Sequence, residues 1–125
     1  LTVDQIDSTI IRLPILKIMT HKADQNGAPV YAYMFTYGHS YHGAEILYVF
    51  DNLTNATEQE KELAHNISQA WINFAKTGVP SSDGLPAWEP YTRENGATMI
   101  LDTESEMAYH HDQQLMEILA PDYEY

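Results

Sequence analysis

A predicted strand is apolar on both faces in Val30-Tyr31-Ala32-Tyr33-Met34-Phe35-Thr36-Tyr37. Side chains alternate along a strand, so the aromatic residues of this run share one face and the aliphatic residues share the other. A strand with one wet face would alternate apolar and polar side chains instead. The pattern is therefore typical of the central sheet of an α/β protein, where helices cover both sides.

Predicted helices flank this strand along the chain. The first runs from about Pro14 to about residue 26, because proline fits the first turn of a helix. The longer one begins at a capping box formed by Thr57 and Glu60 and ends at Gly78. Its apolar residues recur at three- and four-residue steps, and we expect them all in the core. They are Leu63, Ile67, Ala70, Trp71, Phe74 and Ala75.

The rest of the chain contains short elements. The sequence predicts a loop over 38–43, one or two helical turns over 44–50, a loop over 80–90, strands over 97–102 and 106–110, and a last helix over 112–119. Strand and helix alternate, so the predicted fold class is α/β, with a few strands and flanking helices.

Composition limits the classes of function. The 125 residues are 44% hydrophobic, as in one modest globular domain. A net charge of −12 repels phosphate backbones, so no nucleic-acid partner is expected. The chain has no cysteine for a thiolate metal site and no apolar run long enough to span a membrane. Because it begins at Leu1 without a methionine, we expect a piece of a longer protein.

Two of the six histidines, His39 and His42, lie in the loop after the apolar strand, where α/β folds place catalytic and binding groups. His21 and His65 are expected on helix surfaces. The adjacent pair His110-His111 cannot point both rings into one metal site from a regular strand, so no metal site is predicted there.

A nucleophilic serine is the weaker interpretation of the same loop. The segment Gly38-His39-Ser40-Tyr41-His42 is similar to the nucleophile elbow, which places a serine between two glycines on a sharp turn. However, His42 stands where the elbow requires a very small residue. Ser40 is therefore not expected to be the nucleophile.

A family resemblance runs through His42-Gly43-Ala44-Glu45-Ile46-Leu47-Tyr48-Val49-Phe50, which closely resembles the catalytic-histidine segment of the type-B carboxylesterase and cholinesterase family. The preceding strand resembles the family's strand at that place. Three later segments are similar in order and spacing: Trp71-Ile72-Asn73-Phe74-Ala75-Lys76-Thr77-Gly78-Val79-Pro80, Trp88-Glu89-Pro90-Tyr91 and Met99-Ile100-Leu101. The resemblance implies that residues 1–125 are the C-terminal part of a carboxylesterase α/β-hydrolase domain.

The resemblance also implies a function. It makes His42 the general base of a serine esterase that hydrolyses small carboxylic esters through an acyl-enzyme, without a metal or organic cofactor. The family's serine and acid precede the histidine, but Asp4, Asp7 and Asp24, the only acids before His42, do not stand where the family keeps its acid. The chain thus supplies the histidine alone and is expected to be inactive by itself. Glu45, by the same resemblance, is a structural carboxylate that stabilises the loop and the following helix.

Two alternatives to the enzyme remain open. The family includes cholinesterase-like proteins that lost the serine and bind partners, so a non-catalytic interaction module is one of them. A small acidic protein without catalytic role is the other. The isolated fragment is expected to self-associate, most simply as a twofold dimer, because the edge of strand 30–37 and an apolar face would lack the neighbours that cover them in the parent fold. A monomer would instead favour the small acidic protein.

Overall fold

A three-stranded sheet organises the computed structural model, which describes residue 2 and residues 6–122. Strand β1 (Ala32–Phe35) pairs in parallel with β2 (Ala97–Leu101), and β2 pairs antiparallel with β3 (Glu106–Tyr109). Since β2 lies in the middle of this order, all five of its residues are buried. The α/β class is confirmed, and all three predicted strands form, although each is shorter than its apolar run.

Four α-helices accompany the sheet in the described part of the chain: α1 (Leu13–Asp24), α2 (Ile46–Val49), α3 (Glu58–Thr77) and α4 (Gln113–Leu119). Pro14 lies in the first turn of α1, as predicted. A π-helical segment, Asp7–Arg12, runs directly into α1, and the Leu13 amide donates to the carbonyl oxygen of Ser8, five residues back. The sequence pattern did not predict this segment, since a π-helix has no residue signature of its own.

Helices cover both faces of β1. The aromatic face meets α2 and α3, where Phe35 packs on Tyr48 with ring centroids 5.0 Å apart and Tyr33 packs on Trp71 at the same distance. The aliphatic face meets the π-helical segment and α1. Arg12, directly before α1, contacts the sulfur of Met34, and Ile15 and Leu16 of α1 line a pocket together with Met34. The prediction of a strand between two helical layers is confirmed.

The ends of α3 follow from local chemistry. The hydroxyl of Thr57 accepts a hydrogen bond from the Glu60 amide at 3.2 Å, and the Glu60 carboxylate accepts one from the Thr57 amide at 2.7 Å. Gly78 ends the helix with φ at 81°, a left-handed conformation that glycine adopts without a steric penalty. Both predicted ends of this helix are confirmed.

The core lies between α3 and β2. Leu63, Ile67 and Ala70 are buried against Met99 and Leu101, in the first half of the predicted stripe. No helix in the described part of the chain is both long enough and apolar enough to span a bilayer.

The predicted core position is wrong for Phe74, which is 47% exposed, and for Ala75, which is also exposed. The Phe74 ring packs edge-on against Tyr31, with centroids 6.1 Å apart. It lies at the margin of the sheet, where no described strand continues beyond β1 to cover it. Trp71, deeper along the helix, is half-buried against the core.

The capping box predicts that Glu60 contributes to the loss of unfolding free energy at acid pH. The Thr57 amide holds the pKa of the Glu60 carboxyl below its usual range, with the hydroxyls of Tyr37 and Thr57 contributing. Because the folded-state pKa is lowered, the stabilisation is present above the unfolded pKa of about 4.3 and is lost as pH falls through the folded value. Urea unfolding at a series of pH values should therefore show a smaller loss of unfolding free energy between about pH 5 and 3 for Glu60→Gln than for wild type.

Glu62→Gln is the matched control for this measurement, because Glu62 is an exposed glutamate of the same helix with no hydrogen bond among the described residues. It should follow the wild-type pH dependence. An unchanged pH dependence in Glu60→Gln would contradict the prediction.

Candidate active site

His42 lies in a tight turn between β1 and α2. The Ala44 amide donates to the Tyr41 carbonyl at 2.9 Å and closes a four-residue turn with His42 and Gly43 at its centre. Gly43 has φ at 80°, the left-handed conformation that a type II turn requires at its third position. The Ile46 amide then donates to the Gly43 carbonyl at 3.1 Å and leads into α2. The glycine after His42 is thus required by the backbone, and the turn sets where the histidine projects.

The imidazole of His42 is exposed and makes no hydrogen bond or ion pair with any residue of the described part. The turn follows the carboxyl end of β1, which runs parallel to β2. This edge is where open α/β sheets bind ligands. His39 is exposed in the same loop, and the structure gives it no partner among the described residues either.

Three side-chain hydrogen bonds hold the loop 36–45 to the sheet and to α3. At its start, Thr36 donates to Asp102 at 2.6 Å and Tyr37 donates to Glu60 at 3.2 Å. At its end, Tyr33 of β1 donates to Glu45 at 3.3 Å. The loop is therefore fixed at both ends, whereas the His42 side chain is not.

Burial raises the pKa of both phenols in these contacts. For Tyr33 the negative charge and hydrogen bond of Glu45 add to the effect of burial, and for Tyr37 those of Glu60 do. Both phenols consequently keep their proton, and act as hydrogen-bond donors, throughout the neutral range.

Comparison with known proteins places this chain in a family. The sequence matches the carboxylesterase family over residues 2–118. The chain belongs to this family. It is 37% identical over 97 residues to the para-nitrobenzyl esterase of Bacillus subtilis (strain 168), covering 66% of this chain and 20% of that protein. It is 31% identical over 115 residues to the liver carboxylesterase of Sus scrofa, covering 80% of this chain and 20% of that enzyme.

Solved structures of esterases share the fold of this chain. A PNB esterase superposes with a TM-score of 0.84 at 29% identity, over 93% of this chain and 26% of that one. The expected α/β-hydrolase relationship is confirmed. This carboxylesterase-family chain spans about a fifth of the length of these curated relatives and about a quarter of the solved one.

The Ser40 side chain makes a hydrogen bond within the loop. Its hydroxyl donates to the Tyr37 carbonyl at 3.1 Å, so its proton is directed at a backbone acceptor. Its φ of 37° is a left-handed value, and the bond to Tyr37 stabilises this bend.

Neither Asp7 nor Asp24, the two described acids before His42, makes a hydrogen bond or ion pair with the imidazole. Asp24 pairs with Arg93 at 2.7 Å, and the hydrogen bond from Arg93 lowers the Asp24 carboxyl pKa. Arg93 precedes β2, so this pair lies at the amino end of the parallel strands, opposite to the edge that carries His42. Asp7 is exposed in the π-helical segment, and Asp4 lies outside the described residues.

Glu45 has a different partner from the one its position suggests. It occupies the N-cap position of α2, but its side chain makes no capping hydrogen bond. The carboxylate instead bonds to Tyr33, as described above, and so ties the loop to β1.

An aromatic cleft beside β1 was missed by the sequence analysis. It has a volume of about 160 Å³ and is lined by Tyr31, Tyr33, Trp71, Phe74, Pro80 and Trp88. The signal was present in the aromatic face of the strand and the last turns of the α3 stripe, which were both predicted as core. They form an open cleft because no described strand lies beyond β1.

The remaining histidines have separate environments. His110 contacts the Glu94 carbonyl at 2.8 Å, while His111 lies between Arg12 and Asp112. His21 and His65 are exposed. Among residues 6–122 no group of three or more histidine, cysteine or acidic side chains could hold a metal ion.

The conformation of the His42 turn predicts that any side chain at position 43 lowers the unfolding free energy. Gly43→Ala should reduce the unfolding free energy by about 1–2 kcal/mol, because a left-handed backbone brings Cβ close to the following carbonyl. Gly27→Ala is the matched control, since a Cβ there meets nothing within 4 Å. The control should change stability by less than about 0.5 kcal/mol in the same urea titration. Equal effects of the two substitutions would contradict the strained turn.

Proposed function

We propose that this chain is the C-terminal part of a serine carboxylesterase α/β-hydrolase domain and that His42 is its general base. The observation that carries the proposal is the position of His42 in a carboxylesterase-family chain, in a glycine-dependent turn at the carboxyl edge of two parallel strands. Enzymes of this fold place their histidine on such a loop, with the serine and acid earlier in the chain.

In the proposed reaction the imidazole accepts the proton of a serine hydroxyl as the serine oxygen attacks the carbonyl carbon of an ester. The tetrahedral adduct collapses when the imidazolium returns this proton to the departing alcohol, which leaves an acyl-serine. Water then attacks the acyl group, again losing its proton to the imidazole, and serine and carboxylic acid are released. His42 thus needs a fixed backbone and a ring that is accessible to groups outside this chain.

The carboxylates near His42 support the proposal that this chain supplies the histidine but not the acid that orients it. Asp102, Glu60 and Glu45 stand at the same edge as His42, but each is bonded to Thr36, Tyr37 or Tyr33. We propose accordingly that the acid orienting His42 and the nucleophilic serine both come from the rest of a longer protein. The substrate proposed for that protein is a small carboxylic ester.

A chimera tests this proposal. The part of this chain that matches the Bacillus subtilis para-nitrobenzyl esterase replaces the corresponding fifth of that enzyme, which contributes its own remaining segments. The folded chimera should hydrolyse a short-chain p-nitrophenyl ester, and His42→Ala should lower kcat by roughly a thousandfold or more, because triad members act as a unit. His39→Ala, in the same exposed loop, should retain most of the activity.

The isolated chain is the second arm of the experiment. It should show no saturable turnover, because its imidazole has no nucleophile to activate. Saturable turnover abolished by Ser40→Ala would make Ser40 the nucleophile and contradict the proposal. So would a loss of less than about tenfold on His42→Ala in a folded, active chimera.

We further propose that the isolated chain self-associates through the open edge of β1. Among the described residues β1 pairs with β2 alone, and residues 30–37 contain none of the lysines or prolines that protect natural sheet edges. Exposed apolar side chains flank the edge on both sides, with Ile11 and Ile15 at 46% and 48% exposure on one side and Phe74 on the other. Antiparallel pairing of two β1 strands around a twofold axis would cover both flanks.

Sedimentation at micromolar concentration should therefore show a dimer of the 14.2 kDa chain. Higher salt should strengthen the dimer, because it screens the repulsion between two chains of charge −12. Ile15→Lys should weaken association, while Ile118→Lys, 78% exposed on α4, is the control that should not. A cooperative monomer at all concentrations would contradict this proposal.

A further inference from the structure

The hydroxyl of Tyr33 is presented from a rigid platform. Tyr33 is paired with Met99 in the register of β1 and β2. Its ring lies edge-on to Trp71, with centroids 5.0 Å apart, and Trp71 packs edge-on against Trp88 at 6.0 Å. Backbone pairing and two aromatic contacts thus restrict the phenol, so a group bonded to its oxygen is held in a defined position relative to the sheet.

Glu45, the acceptor of this hydroxyl, joins the His42 turn to α2. Its carbonyl accepts hydrogen bonds from the amides of Tyr48 and Val49 at 3.0 and 2.9 Å, which begin the helix. It lies two residues after Gly43. A restraint on the Glu45 side chain therefore acts on the turn and on the first residues of α2 together.

The two ends of the loop differ in how many side-chain hydrogen bonds hold them. Thr36 and Tyr37 supply two at the start, to Asp102 and Glu60. Within the described part of the chain, the bond between Tyr33 and Glu45 is the one side-chain hydrogen bond at the end nearer to His42. Without the bond between Tyr33 and Glu45, the end of the loop near His42 is attached through its backbone to α2. This helix has four residues, and two of its apolar side chains, Ile46 and Leu47, are exposed.

We infer that Tyr33 is a positioning residue, which fixes the His42 turn relative to the sheet through its hydrogen bond to Glu45. This inference rests on the proposed role of His42 and assigns Tyr33 no contact with substrate. Burial and the Glu45 carboxylate raise the Tyr33 pKa, so the phenol remains a donor throughout the neutral range. A displacement of a catalytic group by about 1 Å can cost on the order of a hundredfold in rate, so a restraint of this kind matters for a general base.

Amide hydrogen exchange in the 125-residue chain tests the restraint directly. Tyr33→Phe keeps the ring contacts and removes only the hydroxyl. The amides of Ala44 and Ile46, which close the turn, should exchange faster by about two- to tenfold, as expected for the loss of one hydrogen bond. The amides of Lys61 and Gly78 at the two ends of α3 should not change.

Tyr37→Phe is the matched control. It removes the same chemical group from the same loop, at the end held by Glu60, and should leave the Ala44 and Ile46 amides unchanged. Glu45→Ala should reproduce the effect of Tyr33→Phe, and the double variant should exchange no faster than either single variant. This second variant also provides the answer if Tyr33→Phe does not fold.

Two outcomes would overturn the inference. Unchanged exchange at Ala44 and Ile46 would mean that the hydrogen bond does not hold the turn. A uniform increase at all amides, including those of α3, would mean that Tyr33 supports the fold as a whole rather than the turn.

The chimeric esterase separates this inference from the proposed function. Tyr33→Phe should lower kcat by about tenfold and leave KM nearly unchanged, since substrate contacts are intact and only the position of the base is relaxed. If His42→Ala has no effect on turnover, the proposed function fails whatever Tyr33 does. If His42→Ala abolishes turnover and Tyr33→Phe leaves kcat unchanged, the positioning role fails alone.

Discussion

The parallel pairing of β1 with β2 is the constraint on which the rest of the structure depends. It joins residues that are far apart in sequence, Ala32 with Thr98 and Phe35 with Leu101. A parallel pair requires a long crossover, and here the crossover contains α3, whose apolar stripe covers the aromatic face of β1 and the buried middle strand β2. The same pairing brings the carboxyl ends of both strands to one edge. The loop with His42 and the Thr36–Asp102 hydrogen bond are both found there.

Hydrogen bonds from the segment before β2 hold this segment and α1 to the paired strands β1 and β2. The Trp88 indole donates to the Ala32 carbonyl at 3.1 Å, and the Tyr91 amide donates to the Val30 carbonyl at 2.7 Å. The Tyr91 hydroxyl is within 3.3 Å of the buried Thr20 hydroxyl of α1. Because buried polar groups are costly without partners, these bonds specify how α1 lies on the sheet in addition to the apolar contacts.

The features that the sequence predicted are those set by neighbouring residues. Thr57, Glu60 and Gly78 determine the ends of α3 within a few positions of themselves. For residues 38–43 the sequence predicted a loop, and the structure adds the turn that Gly43 allows. Contacts between distant residues were not predictable, because Tyr33 and Glu45 or Thr36 and Asp102 meet only after the strands have paired. The exposure of Phe74 was missed for a related reason. Periodicity indicates that a side chain is apolar on a helix stripe, but it does not indicate where the sheet beneath that stripe ends.

The proposed role of His42 requires a restrained backbone and a free imidazole. The residues that restrain the backbone do not bind the imidazole. Gly43, Tyr33 and Tyr37 restrain the backbone on both sides of His42, and none of them contacts the imidazole through a hydrogen bond. A general base must gain and lose a proton in each half of an ester hydrolysis, so its ring must be accessible to the serine and the acid that this chain does not supply. Under the proposed function, orientation of the ring is left to an acid elsewhere in the protein, whereas the backbone that carries the ring is restrained here. The loop contacts therefore act on the position of the His42 backbone.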